Sequence, residues 1–309
     1  MKVANFAPQF GQATLAKNNL KEIMSEVIRL AIQKSGRLSE DSLKLIKESG
    51  INFSKAGGKL KSSAYNYPLE FLYLRDDDIP GYVADGVADI GIVGENVYVE
   101  KDKTVKPIMD LGFSKCRLSI GMPKNFNYSG PQDLHGKSIA TSYPKILGDW
   151  LAGQNIESTI HEISGSVEIA PSIGLADAVC DIVSSGSTLI SNGLKEVESI
   201  FQSQAVLISN PELSADKSKI LSQLKFRIEA VLRARNTKYI ALNVPNDSLQ
   251  AVLNLLPGVK SPSIAPLSIE GWSSVSSVVK EDNFWEVIES LREAGAEGIL
   301  VLPIEKIIE

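Results

Sequence analysis

Short apolar segments alternate with segments of helical pattern in the first third of the chain, and this alternation limits the possible folds more than any other feature. Residues 27–32, 69–74 and 88–93 are apolar runs typical of buried strands. Residues 41–49 have apolar positions at helical spacing, and Ser39 is predicted to be the N-cap of that helix. Strand–helix–strand order predicts parallel βαβ units and therefore an α/β fold.

A second set of strands and helices begins near residue 115. Strands are predicted at residues 116–121 and 137–141, and a strand at residues 198–207 returns to the first set. Two sets joined by crossing strands predict a two-lobed, periplasmic-binding-protein-like α/β core with a ligand cleft. Lobe I is assigned to residues 24–114 and 190–236, and lobe II to residues 115–189.

The pattern changes after a long amphipathic helix predicted at residues 216–235. Residues 237–309 have the order strand, helix, strand, strand, helix, strand, which is typical of a ferredoxin-like (ACT-like) module. No cluster of titratable groups suited to catalysis lies in this stretch. A regulatory or assembly role is therefore favoured for the C-terminal module.

Composition excludes several classes of partner and site. A formal net charge of -5 gives no electrostatic footprint for nucleic acid, and two histidines are too few for a multi-histidine metal centre. No apolar run approaches the roughly 20 residues of a membrane span. Residues 1–23 lack the apolar core of a secretory signal and are interpreted as a leader or a disordered arm. We therefore expect no membrane partner and a cytoplasmic location.

The most specific stretch extends from Gly165 to Leu189. Asp177 and Asp181 lie four residues apart in a predicted helical or turn context, and we expect them to share a face. An apolar pair then leads to a loop whose hydroxyls and backbone N–H groups suit a phosphate: Ser184, Ser185, Gly186, Ser187 and Thr188. Carboxylates beside such a loop fit a ribose 5-phosphate. A capped helix with surface acids and a serine-rich turn accounts for the same residues equally well.

This stretch resembles the signature of the ATP phosphoribosyltransferase family. The matching residues are Glu168, Gly174, Ala176, Val179, Asp181, Ser185, Gly186, Thr188 and Leu189. Other segments resemble the family in the same order along the chain, at residues 31–38, 75–80, 89–96, 139–144 and 302–306. The resemblance covers residues 26–309 and includes the C-terminal module that marks the long, histidine-regulated form.

The resemblance implies a reaction in which N1 of the adenine of ATP attacks C1′ of 5-phosphoribosyl 1-diphosphate. Diphosphate leaves with Mg²⁺, and the step is the first of histidine biosynthesis. The adenine lone pair is already a nucleophile, so catalysis consists of positioning and electrostatics and needs no general base. The resemblance also implies feedback inhibition by L-histidine bound to the C-terminal module. It further implies a homo-oligomer, as a dimer and a hexamer.

The expected roles of individual residues follow from the resemblance. Asp181 is expected to hold the ribose hydroxyls with Glu168 nearby, and the loop from Ser184 to Thr188, with Leu189, to bind the 5-phosphate. Three cations closely follow predicted strands, at the edge where α/β sheets bind ligands, and are expected to contact the diphosphate and triphosphate: Lys34, Arg37 and Arg75. Glu95 is expected on the ATP side.

The acidic run Asp76, Asp77 and Asp78 directly follows Arg75. A metal site is one interpretation, but Mg²⁺ is usually held by substrate phosphates with few carboxylates. Helix capping or orientation of Arg75 is favoured, and no residue is assigned as a metal ligand.

Two other functions are compatible with a two-lobed core. Solute-binding proteins share the architecture, but they usually carry a secretory signal and do not need a cationic cluster beside a phosphate loop. A catalytically silent regulatory paralogue is the second alternative. It would be expected to lack the cations or the loop residues, and this chain has both.

Overall fold

The computed structural model describes residues 26–55, 60–256 and 261–308. In these ranges the chain forms two compact units, one made of residues 26–47 and 51–222 and the other of residues 48–50 and 223–308. The predicted N-terminal arm, residues 1–23, lies outside the described residues. No helix in the described ranges is long and apolar enough to cross a membrane.

The first sheet of the first unit is built from six strands. They are β1 (Ile28–Gln33), β2 (Lys61–Ser63), β3 (Leu69–Leu74), β4 (Ile90–Gly94), β5 (Lys106–Asp110) and β11 (Ala205–Ser209). Their order across the sheet is β2-β3-β1-β4-β11-β5. β1 is parallel to β3 and β4, so the carboxyl ends of these three strands meet at one edge.

Three helices accompany this sheet: α1 (Arg37–Glu48), α2 (Ile79–Ala84) and α3 (Glu95–Lys101). The prediction that Ser39 caps the first helix is wrong, because α1 begins at Arg37 and Ser39 is buried within it. Gly36 has a φ of +95°, a conformation that glycine adopts readily. The chain can therefore turn straight from the loop after β1 into the helix, which brings Arg37 to the first helical position.

The second sheet of the first unit has five strands. They are β6 (Cys116–Pro123), β7 (Ser138–Thr141), β8 (Thr159–Glu162), β9 (Ala178–Val183) and β10 (Leu194–Ser203), in the order β10-β6-β9-β7-β8. Two helices belong to this part, α4 (Pro144–Gly153) and α5 (Ser187–Ser191). β7 is parallel to β9, so the segments that follow these two strands emerge at the same edge.

The single strand predicted at residues 198–207 is two strands in two different sheets. β10 pairs with β6 in the second sheet, and β11 pairs with β4 and β5 in the first. Residues 194–203, which we assigned to lobe I, therefore belong to the second sheet. No glycine or proline marks the junction at Gln204. β10 also contains two register shifts, at positions where the sequence shows no break.

The second unit contains the C-terminal module, which follows the long helix α6 (Ala215–Ala234). Its elements are β12 (Thr237–Pro245), α7 (Leu249–Leu255), β13 (Ser263–Pro266), β14 (Trp272–Lys280), α8 (Glu281–Glu293) and β15 (Glu297–Pro303). The sheet is antiparallel with order β13-β14-β12-β15, which is the ferredoxin-like arrangement. The predicted α/β class, two-sheet core and C-terminal ferredoxin-like module are confirmed.

Candidate functional site

The hydroxyl-rich loop lies between β9 and α5. Gly186 has a φ of +80°, which allows the sharp turn before the helix. The Ser185 and Ser187 hydroxyls are 3.0 Å apart and hydrogen-bonded to each other. A small pocket of about 130 Å³ is lined by Glu168, Asp181, Ile182, Val183, Ser184, Ser185, Gly186, Thr188 and Leu189. The structure therefore brings the predicted phosphate loop and the two predicted carboxylates together.

Asp181 is one of the two carboxylates that line this pocket. Burial raises the pKa of Asp181, and the nearby charge of Glu168 raises it further, although the Ile182 N–H donates to Oδ1 at 2.7 Å and opposes the shift. Two acids that influence each other in this way are close in space. An incoming ligand that donates hydroxyl hydrogen bonds would relieve the unfavourable burial of the Asp181 charge.

Asp177 does not join Asp181, and the expected helical or turn context is wrong for this pair. Asp181 lies within strand β9, whereas Asp177 precedes the strand and accepts hydrogen bonds from the Ser138 N–H and hydroxyl, both at 2.8 Å. These bonds lower the pKa of Asp177. Asp177 therefore fixes the start of β9 to the neighbouring strand and takes no part in the pocket.

Leu189 and Arg117 fix the hydroxyl-rich loop to the second sheet. The Leu189 side chain is buried in an apolar cluster that also contains Val179 and Val183. Arg117, on β6, donates from Nη1 to the Ser184 carbonyl at 3.4 Å and is also paired with Glu196. Arg117 was not among the predicted site residues. Its register opposite Val183 on β9 is a tertiary feature that spacing along the chain does not reveal.

The three predicted cations lie at the carboxyl edge of the first sheet. The Lys34 N–H donates to the Leu74 carbonyl at 2.8 Å, so the segments that leave β1 and β3 are adjacent. Arg37 opens α1 and Arg75 follows β3 directly. All three side chains are exposed, and none has an ion pair or side-chain hydrogen bond within the described ranges. They are thus available to an anionic ligand.

A fourth cation, Lys55, lies at the same edge and was not predicted. Its ammonium donates to the Lys34 carbonyl at 2.7 Å and lies 4.9 Å from the centre of the Tyr73 ring. Lys55 comes far after β1 in sequence, so no motif connects it with the loop that it contacts. Its charge adds to the positive potential near Lys34.

Glu95 is the first residue of α3. It lies close to the junction between β10 and β11. Its N–H donates to the Gln204 carbonyl at 2.9 Å, and burial and the charge of Asp110 raise the pKa of its carboxyl group. A pocket of about 370 Å³ is lined by Glu95, Lys115, Cys116, Arg117, Ser184, Gln202, Ser203 and Gln204. Ser184 lines this pocket and also the smaller pocket of the hydroxyl-rich loop.

Tyr143 links the second sheet to a helix of the first sheet. It lies just after β7, and its half-buried hydroxyl accepts a hydrogen bond from Asn96 of α3. Burial strongly raises the pKa of Tyr143, and the charges of Asp181, Asp76 and Asp77 add to the shift. Asp181, Asp76 and Asp77 are therefore near enough to Tyr143 for their charges to act on its hydroxyl.

Among the described residues, no group of three or more histidine, cysteine, aspartate or glutamate side chains is arranged to hold a metal ion. In the acidic run after Arg75, Asp77 lies 3.8 Å from the Lys101 ammonium. Protein groups alone would thus bind Mg²⁺ poorly here, whereas phosphate oxygens of a ligand would complete its coordination. The second sheet thus carries the hydroxyls and carboxylates of the pocket, and the first sheet carries the exposed cations. Both kinds of group suit a phosphorylated sugar.

Comparison with known proteins agrees with this geometry. The family model of ATP phosphoribosyltransferase matches residues 75–230, and the model of the HisG C-terminal domain matches residues 234–306. The ATP phosphoribosyltransferase of Cytophaga hutchinsonii is 68% identical over 286 residues, which cover 93% of this chain and 100% of that protein. The enzyme of the same name from Parabacteroides distasonis is 54% identical, over 91% of this chain and 100% of its own length.

A solved structure shows the same relationship. The ATP phosphoribosyl transferase (HisG:HisZ) complex from Thermotoga maritima contains a chain that is 28% identical, with a TM-score of 0.56, over 66% of this chain and 99% of that chain. The resemblance to the family is confirmed, and it includes the C-terminal module. The similarity to these enzymes identifies the chain as a pentosyltransferase. It belongs to the ATP phosphoribosyltransferase family.

Proposed function

We propose that the protein transfers the phosphoribosyl group of 5-phosphoribosyl 1-diphosphate to N1 of the adenine of ATP and releases diphosphate. The observation that carries the proposal is the pocket in which Asp181 and Glu168 meet the hydroxyl-rich loop. The exposed cations at the edge of the first sheet support it. This reaction is the first step of histidine biosynthesis. We propose that the protein is located in the cytoplasm.

The second sheet holds the phosphoribosyl group in this proposal. The 5-phosphate binds the loop through the hydroxyls of Ser184, Ser185, Ser187 and Thr188 and through backbone N–H groups near Gly186. Asp181 accepts hydrogen bonds from the ribose hydroxyls, and Glu168 adds a second acceptor. This binding fixes C1′ in space, which converts a bimolecular substitution into a positioned one.

The first sheet stabilises the departing charge. As the bond from C1′ to the diphosphate oxygen breaks, negative charge grows on diphosphate, and the guanidinium groups of Arg37 and Arg75 offer planar bidentate contacts. Lys34 adds a point charge. Mg²⁺ accompanies the diphosphate as part of the substrate and needs few protein ligands.

The adenine of ATP approaches from the side of Glu95. Its N1 lone pair attacks C1′ while diphosphate leaves, so electrons move from N1 to C1′ and from the broken bond to the leaving oxygen. No proton has to be removed in this step. The partly buried Glu95 carboxylate suits the positive charge that develops on the adenine ring.

A diphosphate-release assay tests the proposal. Release must require ATP and 5-phosphoribosyl 1-diphosphate together, because the displacement needs both the nucleophile and the leaving group. Asp181→Asn is expected to reduce kcat/KM for 5-phosphoribosyl 1-diphosphate by roughly one to two orders of magnitude. Ser138→Ala is the matched control, since it removes a hydroxyl bound to Asp177 and lies outside the pocket. No release by the intact protein would refute the proposal.

We further propose that L-histidine binds the C-terminal module and inhibits the reaction, and that the chain works as a homo-oligomer, as a dimer and a hexamer. The match of this module to the HisG C-terminal domain supports a regulatory role. Inhibition requires that histidine bind one conformation or assembly better than another, and a coupling of about 1–3 kcal/mol suffices.

A further inference from the structure

Lys55 connects the two strands that lead to the exposed cations of the first sheet. Its ammonium donates to the Lys34 carbonyl at 2.7 Å and lies 3.4 Å from the Ser39 hydroxyl oxygen, in the first turn of α1. The same ammonium lies 4.9 Å from the centre of the Tyr73 ring, which belongs to β3. One side chain therefore contacts the loop after β1, the start of α1 and the end of β3.

Tyr73 is a fixed base for this contact. It is 1% exposed, and its hydroxyl is hydrogen-bonded to the Ser62 hydroxyl of β2 at 2.8 Å. A cation over an aromatic ring is attracted by the negative charge on the face of the ring. The sheet thus holds the Lys55 ammonium in place independently of the loop that it contacts.

The loop after β1 depends on Lys55 for the direction of one peptide group. Residues 34–36 are exposed, and among the described residues no other group donates to the Lys34 carbonyl. A peptide group is planar and trans, so the direction of this carbonyl fixes the plane between Lys34 and Ser35. Only Ser35 and Gly36 separate that plane from Arg37, the first residue of α1. A change in the plane would therefore redirect both Lys34 and Arg37.

The charges at this edge favour an anionic ligand. Within the described ranges Lys55 has hydrogen bonds and an aromatic contact but no carboxylate partner. The exposed Lys34, Arg37 and Arg75 also lack ion pairs there. Neighbouring cations without a counter-charge repel one another, and a bound polyanion such as diphosphate removes this repulsion. Lys55 therefore keeps the loop in place at an edge where the charges alone would push it away.

We infer that Lys55 is a positioning residue, which holds the loop after β1 in the conformation that directs Lys34 and Arg37 to the diphosphate. It acts through the Lys34 carbonyl and does not contact the substrate. The inference rests on the proposed transfer reaction and adds to it the residue that orders its cations. Because the second sheet holds the phosphoribosyl group, loss of Lys55 should affect stabilisation of the leaving group more than substrate binding.

Lys55→Met is the primary test, because it keeps an unbranched side chain and removes the ammonium. We expect kcat for diphosphate release to fall roughly tenfold, while KM for 5-phosphoribosyl 1-diphosphate changes by less than about threefold. Lys55→Arg should recover most of the rate, since a guanidinium also donates to a carbonyl and stacks on an aromatic ring. Amide hydrogen exchange in residues 34–40 should be faster in Lys55→Met, because the loop loses this contact.

Lys47→Met is the matched control. Lys47 is also an exposed cation of the first unit and lies 5.4 Å from the centre of the Phe53 ring, but within the described ranges it has no hydrogen bond to the loop. We expect kcat and both KM values to stay within about twofold of the parent, with unchanged exchange in residues 34–40. An equal fall of kcat in Lys47→Met would overturn the inference, because loss of positive charge alone would then explain the effect.

A double variant separates positioning from direct contact with the substrate. If Lys55 acts in part through Arg37, Lys55→Met lowers kcat less in an Arg37→Met background than in the parent, because the misplaced guanidinium is already absent. Equal reductions in the two backgrounds would indicate an independent contact and overturn the inference. A fall of kcat without faster exchange in the loop would overturn it as well.

Full kcat in folded Lys55→Met, with an active parent protein, would overturn this inference and leave the proposed function intact. The melting temperature of each variant shows whether it is folded. If the parent protein releases no diphosphate from the two substrates, the proposed function fails and this inference fails with it.

Discussion

The Leu189 side chain lies directly against the backbone of Gly121. A Cβ atom at Gly121 would be 3.1 Å from Leu189 Cδ2 and 3.0 Å from Val179 Cγ2. Gly121 belongs to β6, whereas Leu189 anchors the hydroxyl-rich loop by its buried side chain. The position of the loop therefore depends on the absence of a side chain on a neighbouring strand.

Gly121→Ala is expected to push Leu189 outward and to lower the free energy of unfolding by about 1–3 kcal/mol, because the cluster has no spare volume. KM for 5-phosphoribosyl 1-diphosphate should rise more than KM for ATP. Chemical denaturation and steady-state kinetics measure the two effects. Adding Leu189→Val should recover part of the binding, and a double variant no better than Gly121→Ala alone would argue against loop displacement.

Thr188→Val removes one hydroxyl at nearly constant volume. No hydrogen bond of the Thr188 hydroxyl is recorded within the described residues, whereas its carbonyl accepts from Asn192. We expect a loss of roughly 1.5–3 kcal/mol in binding of 5-phosphoribosyl 1-diphosphate and little change in stability. Ser191→Ala is the control, because that hydroxyl is bound to the Ser187 carbonyl within the helix. Unchanged affinity in folded Thr188→Val would remove Thr188 from the phosphate site.

Arg75→Ala is expected to lower kcat by at least about tenfold, because negative charge on diphosphate builds up mostly in the transition state. Arg75→Lys should recover only part of the rate, since the planar fork is lost. Steady-state kinetics with each substrate varied separate kcat from KM. Full turnover with only a higher KM would show that Arg75 stabilises the bound substrate and the transition state equally, which contradicts the proposed role.

The ion pair between Arg117 and Glu196 is expected to make the stability of the protein depend on pH in acid. Hydrogen bonding to Arg117 holds the pKa of Glu196 below its ordinary value of 4.5. A lowered folded-state pKa contributes stability that is present above pH 4.5 and is lost as the pH falls through the folded value. Glu196→Gln should therefore destabilise the protein at neutral pH, and the difference from the parent should shrink in acid. A difference that stays constant from neutral pH to acid would contradict the pairing.

L-histidine is expected to bind the intact protein saturably in calorimetric titration and to inhibit in a way that excess ATP does not simply overcome. Excess ATP should not overcome the inhibition, because a ligand bound to the C-terminal module does not compete for the adenine site. No heat and no inhibition at millimolar histidine would leave the module as an assembly element.

The sequence predicted the parts of the fold that carry strong local patterns. β1, β3 and β4 are apolar runs bounded by polar turns, and the structure contains them within a residue or two of the predicted limits. β2, β5 and β8 were missed, because they are short and partly exposed and have little apolar pattern. The junction between β10 and β11 was missed because it depends on which sheet each half joins.

In the site, too, the residues of a local sequence pattern were predicted, and those placed by tertiary contacts were missed. Asp181, Glu168 and the loop were predicted from one continuous stretch, and the structure brings them to one pocket. Arg117 and Tyr143 reach the site through strand register and through contacts of α3, which link residues far apart in the chain. Such contacts leave no spacing pattern in a single sequence.

The proposed transfer is tested most directly by observing the bond between the two substrates in the product. The substrates would be 5-phosphoribosyl 1-diphosphate carrying an NMR-active carbon isotope at C1′ and ATP carrying an NMR-active nitrogen isotope at N1. If N1 attacks C1′, the product has a one-bond carbon–nitrogen coupling, and this coupling appears as diphosphate is released. Label recovered only in free ribose 5-phosphate, or attached to another adenine nitrogen, would contradict the proposed transfer.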